Sequence, residues 1–179
     1  MMDEIINKVA SSGLVEINLE EFYDPTEKIA VDMKDFLSVV NLPDGDAYLL
    51  KEKLFREKIS QLKLDSYQDK IVHLFCSVDA IIPTWAYMLL TISISPIAKR
   101  VLFGKKDLVE ETLFSEALAK INPADYTDAK VVIKGCSKVD VPISAYCLLS
   151  AKLRPYVKSM MYGEPCSTVP LYKKTKQTM

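Results

Sequence analysis

Glycine is scarce in this chain, with five among 179 residues, and histidine occurs once, at His73. So few glycines leave no room for a hidden phosphate-binding loop or dinucleotide fingerprint, both of which need glycines at short fixed spacing for close backbone approach to phosphate. A single histidine with no matching partners excludes a Ser-His-Asp set. His73 lies in a β-rich run whose counterpart elsewhere in the chain has Val132 or Ile133 instead, which predicts a structural residue with satisfied hydrogen bonds. An excess of one charge is also lacking: 23 Lys and Arg against 24 Asp and Glu give a net charge of -1. That balance removes the broad basic field used by nonspecific nucleic-acid binders. The opening Met1-Met2-Asp3-Glu4 leads into no long apolar core and lacks the charge layout of a secretory signal. A cytoplasmic protein is expected, with its four cysteines reduced rather than paired as disulfides. No Cys-x-x-Cys occurs.

One uncharged run reaches the length of a membrane span, residues 80–98. Its counterpart at 141–157 carries Lys152 and Arg154. Two equivalent helices should share one environment, so a buried core helix is expected for both, and no membrane span.

What is present is a repeat. Shifting the chain by 59 residues matches Leu54-Phe55 with Leu113-Phe114, Glu57 with Glu116, Tyr67 with Tyr126 and Asp69 with Asp128. A one-residue insertion then brings Lys70, Cys76 and Ser77 onto Lys130, Cys136 and Ser137, and a shorter loop before Pro142 restores the register. Pro83, Ala86-Tyr87, Leu89-Leu90, Pro96, Lys99 and Gly104 meet Pro142, Ala145-Tyr146, Leu148-Leu149, Pro155, Lys158 and Gly163. Chance periodicity would repeat the apolar pattern without repeating cysteine, proline and glycine positions.

Each copy reads as α-β-α-β. Helices are predicted over 48–62 and 108–121, strands over 71–76 and 131–136, proline-led helices after Pro83 and Pro142, and second strands over 100–103 and 158–162. Val15, Ile17 and Leu19 alternate with polar residues, and Ile29, Val31 and Met33 alternate with Ala30, Asp32 and Lys34 after the turn at 24–27. That pattern predicts an antiparallel hairpin. The whole is expected to be one α/β domain over 1–179: an N-terminal helix and β-hairpin in 1–45, repeats at 46–104 and 105–163, and a Cys-Ser segment with a polar tail at 164–179. The duplicated units should form a mostly parallel mixed sheet.

Ligands in such sheets sit at the carboxyl ends of strands, where helix N-termini converge. Cys76 and Cys136 fall there, each followed by serine, and a third pair, Cys166-Ser167, follows Gly163-Glu164-Pro165. At the 59-residue shift Asp107 stands for Cys166, so the expected ligand set is Cys76, Cys136, Cys166 and Asp107. Ser77, Ser137 and Ser167 would support it, and Asp79 and Asp140 lie in the two Cys-Ser loops. Thiolates stabilised by helix dipoles suit zinc or an iron-sulfur cluster. The alternative is that the cysteines are small packed core residues, which is the expectation for Cys147, the counterpart of Met88.

The run Val132-Ile133-Lys134-Gly135-Cys136-Ser137-Lys138, then Pro142, Ser144-Ala145-Tyr146 and Met161-Tyr162-Gly163-Glu164-Pro165-Cys166-Ser167-Thr168-Val169-Pro170-Leu171-Tyr172-Lys173, resembles an uncharacterised bacterial family. So do Cys76-Ser77 and Asp79-Ala80-Ile81-Ile82-Pro83-Thr84-Trp85-Ala86-Tyr87. The resemblance covers nearly the whole chain. The family is a domain of unknown function found mainly in Bacteroidetes-type bacteria and associated with sulfur-mobilisation genes for iron-sulfur cluster assembly. The resemblance implies a cytoplasmic role near iron, sulfur or cysteine chemistry, with iron-sulfur assembly proteins as partners. Three functions are in play: a non-catalytic metal- or cluster-handling accessory protein using Cys76, Cys136 and Cys166; a thiol enzyme or sulfur carrier; and an interaction module whose cysteines merely pack.

Overall fold

The computed structural model describes residues 14–135, 138–164 and 167–174. In chain order the strands are β1 (Leu14–Asn18), β2 (Lys28–Asp32), β3 (Ser38–Leu42), β4 (Gly45–Leu49), β5 (Ile71–Phe75), β6 (Arg100–Phe103), β7 (Lys130–Lys134), β8 (Ser159–Glu164) and β9 (Ser167–Lys173). The helices are α1 (Glu52–Ser60), α2 (Thr84–Ile94), α3 (Lys106–Ala119) and α4 (Ile143–Leu153). The predicted N-terminal helix falls in residues 1–13, outside the described residues.

The chain forms two compact units, one nested in the sequence of the other. The inner unit is Pro25–Val109; the outer unit is Met1–Asp24 with Glu110–Met179. In the inner unit β2, β5 and β6 form a parallel sheet in that order. In the outer unit β1, β7 and β8 are parallel neighbours and β9 adds antiparallel to β8. The architecture is therefore mixed α/β, with mostly parallel strands in two such sheets rather than one.

Each sheet buries one face under its own helices. Val72 and Leu74 pack with Ala86, Leu90, Ile94 and Phe55 in the inner unit. Val131 and Ile133 pack with Ala145, Leu149, Leu153 and Phe114 in the outer. Every one of these pairs stands 59 positions apart. Backbone details follow the same offset. Asp69 and Asp128 both take the left-handed conformation, at φ 58 and 57. Their N–H groups donate to Ile97 O at 3.1 Å and Tyr156 O at 2.9 Å.

The predicted hairpin pairing is corrected. An antiparallel hairpin is present near the N-terminus, but it joins β3 to β4, whereas β1 and β2 each enter a different parallel sheet. The turn signal that matters is Pro43-Asp44-Gly45, with Gly45 at φ +125, and residues 45–49 are therefore strand where a helix was predicted from 48. The insertion is also misplaced. Ile71 pairs with Arg100 as Lys130 pairs with Ser159, so the 59-residue offset runs through the strands and Cys76 corresponds to Gly135. A one-residue slip here would move every side chain of the strand to the opposite face of the sheet.

The run at 80–98 resolves into a loop and an eleven-residue α2. No helix among the described residues is long and apolar enough to cross a membrane. Nor are these helices buried all round: Ala86, Leu90 and Ile94 face the core while Met88 is 59% and Ile92 67% exposed. Cys147, expected in the core, is exposed on the matching side of α4. Lys152 is accommodated because its ammonium donates to Leu118 O at 2.9 Å and Ala119 O at 2.8 Å, covering carbonyls at the end of α3. His73 is 5% exposed with Nδ1 2.9 Å from Gly104 O, the structural role expected of it. The stretch at 164–179, read as a Cys-Ser segment with a polar tail, contains β9 ahead of that tail, and its Pro170 sits beside a bulge between Met160 and Met161, as edge strands allow.

Candidate functional site

Three parallel strands side by side must end on one rim, and in the outer unit that rim carries charge. β1 closes at Asn18, whose Oδ1 accepts from Glu20 N at 3.1 Å and so starts the short helix Leu19–Phe22. This cap turns Glu20 toward the end of β7, where its Oε1 accepts from Lys138 N at 2.8 Å. β7 closes at Lys134, whose Nζ lies 2.6 Å from Glu16 Oε1 and 3.4 Å from Glu164 Oε2. The hydrogen bond to Glu16 is the main reason that the Lys134 ammonium titrates above the usual lysine range, outweighing its desolvation.

Gly135 follows at φ +143. A Cβ there would stand 3.1 Å from Leu19 Cβ and 3.3 Å from the Tyr146 hydroxyl. That hydroxyl donates to Gly135 O, and the Tyr146 ring meets Tyr162 edge-on at 5.8 Å. The backbone of the loop is thus held from α4 at the point where it leaves β7. Between these walls lies a cavity of about 270 Å³. Asn18 and Glu20 border it on the β1 side, Lys134, Gly135 and Lys138 in the middle, and Tyr162 to Glu164 on the β8 side.

The corresponding rim of the inner unit is built differently. At the positions of Lys134, Gly135 and Tyr162 stand Phe75, Cys76 and Phe103, and Asp32 replaces Asn18. Asp32 Oδ1 accepts from Lys34 N and from Ser77 N, both at 3.0 Å. Partial burial pushes its carboxyl up, but hydrogen bonds from Ser77 and Lys34 prevail and hold it below the usual carboxylate range. Tyr87 meets Phe103 edge-on at 5.3 Å. Burial, then the nearby Cys76 and Asp32, push its phenol up.

Of the residues picked from sequence, Cys76 is half-buried and its thiol donates to Val78 O at 3.2 Å. Ser77, Asp79, Asp107, Asp140 and Ser167 are exposed, with Asp107 in the first turn of α3. Cys136, Ser137 and Cys166 lie outside the described residues. Among the described residues no three His, Cys, Asp or Glu side chains cluster as a metal would need. What the fold brings together instead is Glu16, Glu20, Lys134, Lys138 and Glu164. These were missed because each is an ordinary surface charge in sequence. The one usable signal was Lys134 just ahead of Gly135, a charge closing the apolar run Val131-Val132-Ile133.

Comparison with known proteins yields one family, whose model matches residues 3–174 and is described as protein of unknown function, DUF2480. No curated protein and no solved structure matches.

Proposed function

We propose, on the premise that the chain belongs to the DUF2480 family, that it is a non-catalytic accessory protein which holds zinc, iron or an iron-sulfur cluster as cargo at the rim of its outer unit. The observation that carries this reading is one of sequence position against geometry. Gly135 and Lys138, which bracket Cys136 and Ser137, and Glu164, two positions before Cys166, all line one cavity. Thiolates are the soft ligands that zinc and iron prefer. The resemblance to bacterial proteins encoded beside sulfur-mobilisation genes supports the same reading, with a cytoplasmic setting and iron-sulfur assembly proteins as partners.

Cys76 is left out of the ligand set, since its thiol proton is engaged by Val78 O within its own loop. Asp107 is the counterpart of Cys166 at the 59-residue offset and is an exposed carboxylate, so it too is left out. The test is elemental analysis of anaerobically purified and reconstituted protein. Wild type and Cys76→Ser should retain close to one equivalent of zinc or iron per chain or cluster site, and Cys136→Ser/Cys166→Ser should lose tenfold or more. Absence of metal from reconstituted wild type, or equal loading of the double variant, overturns the proposal.

A further inference from the structure

We propose that the chain forms a two-fold symmetric dimer in which the free edge of β6 pairs antiparallel with β6 of a second copy, joining two inner-unit sheets into one. The proposal uses neither the cavity nor a cysteine, so it stands apart from the cargo reading.

The edge is free where its counterpart is covered. Arg100 N donates to Lys70 O at 3.4 Å and Gly104 N to Leu74 O at 2.9 Å. A parallel ladder alternates along the strand, so Arg100, Leu102 and Gly104 turn their N–H and C=O groups toward β5, and Val101 and Phe103 turn theirs away. β6 is the last strand of its sheet, and among the described residues no hydrogen bond reaches those outward groups. β8 has the same geometry 59 positions on, with Ser159 N donating to Ala129 O at 3.4 Å. There, however, β9 lies antiparallel along Met160 and Tyr162. Burial follows the cover: Met160 is 2% and Tyr162 37% exposed, whereas Val101 is half-buried and Phe103 64% exposed. The opposite edges, β1 and β2, carry no added strand in either unit. Among the described strands, β6 alone lacks a cover that its counterpart has.

β9 also shows what such a cover supplies. It sets Tyr172 opposite Met160 and Val169 opposite Tyr162, one aromatic and one β-branched side chain, and Tyr172 packs against the outer core. A second β6 supplies the same two kinds. A two-fold axis makes like strands antiparallel. With that axis through Leu102, the partner's Phe103 stands opposite Val101 and the partner's Val101 opposite Phe103. Every outward N–H then meets an outward C=O, and aromatic and β-branched side chains face each other in the pairs that stabilise antiparallel strands. Val101 packs against the inner core and Phe103 meets Tyr87 edge-on at 5.3 Å, so these pairs lie on the face that carries α2. That helix is uncharged from Thr84 to Ile94, and two copies of it come to one side of the joined sheet without repulsion. The register also sets Lys99 opposite the partner's Lys105 at each end, so screening by salt should tighten the dimer.

The experiment is sedimentation equilibrium of the full chain, with hydrogen exchange of the Val101 and Phe103 amides followed over the same concentrations. So short a contact buries less than a standard interface, and a reversible dimer with a dissociation constant of about 10–500 μM is expected. On dimerisation the Val101 and Phe103 amides should exchange at least tenfold more slowly, while those of Met160 and Tyr162 keep one rate throughout. Phe103→Lys should weaken the dimer tenfold or more and leave the urea midpoint of the dilute protein unchanged. Leu42→Lys, at another exposed apolar position, should dimerise as wild type does. Raising sodium chloride from about 20 to 300 mM should strengthen association. A monomer at about 1 mM, a dimer whose Val101 and Phe103 amides gain no protection, or one that salt weakens, Phe103→Lys leaves intact or Leu42→Lys disrupts equally, overturns the proposal.

Discussion

At the scale of single residues, the two units answer the same backbone problem with different chemistry. Gly135 takes a conformation that side chains rarely adopt, against Leu19 and Tyr146; its counterpart Cys76 does not. Gly135→Ala should therefore cost about 1–3 kcal/mol through backbone strain alone, read by urea denaturation. A variant as stable as wild type would show that the loop relaxes freely. Asn18 and Asp32 make a similar exchange, both accepting from the backbone N–H two residues on. The Asp32 carboxyl is held below its usual range, so its ionised form favours the folded state. That contribution is present above the unfolded value of about 3.9 and is lost as pH falls through the lower folded value. Asp32→Asn, which keeps the accepting oxygen, should flatten the acid limb of the stability profile below about pH 4. An unchanged slope would mean that Asp32 plays no part in it.

At the scale of elements, α2 and α4 show why one reading from sequence failed. Both are apolar nearly all round, so periodicity could not say which face was buried. The structure sorts Leu90 and Leu149 into the core and leaves Met88 and Cys147 in solvent. Leu90→Ala and Leu149→Ala should each cost about 2–5 kcal/mol, while Met88→Ala and Cys147→Ser should stay within about 0.5 kcal/mol. Comparable losses at all four positions would contradict the burial. The strands were more legible. β6 starts and ends where β-rich residues meet Gly104, and the ends of β5 and β7 fall within two residues of expectation, because short apolar runs bounded by Asp and a turn have few other options. Pairing was not legible. Nothing local to Val15-Glu16-Ile17 reveals that its partner is Val131-Val132-Ile133; a sequence-adjacent strand at Ile29 looked equally suitable. The candidate site inherits that blindness, since Glu16 and Lys134 meet only through this pairing, whereas the cysteines had drawn attention by their type alone.

At the scale of the whole molecule, the 59-residue correspondence reaches core positions, left-handed aspartates and helix contacts. The two units nonetheless carry different additions: the β3–β4 hairpin belongs to the inner unit and β9 to the outer. They also differ in how far apart their partners lie. In the inner unit every strand pairing closes within Pro25–Val109. In the outer unit β1 must find β7 across the full length of the inner one, which makes its loop closure entropically harder and its assembly slower. The inner unit has its own sheet, its own aromatic cluster of Phe36, Phe55 and Trp85 and a core without outer-unit members. A fragment of residues 25–109 should then fold alone, with dispersed amide resonances and one cooperative urea transition, and the full chain should regain inner-unit amide protection before outer-unit protection in refolding. A fragment with a random-coil spectrum, or outer-unit amides protected first, would mean that the nested order of the chain does not govern how it folds.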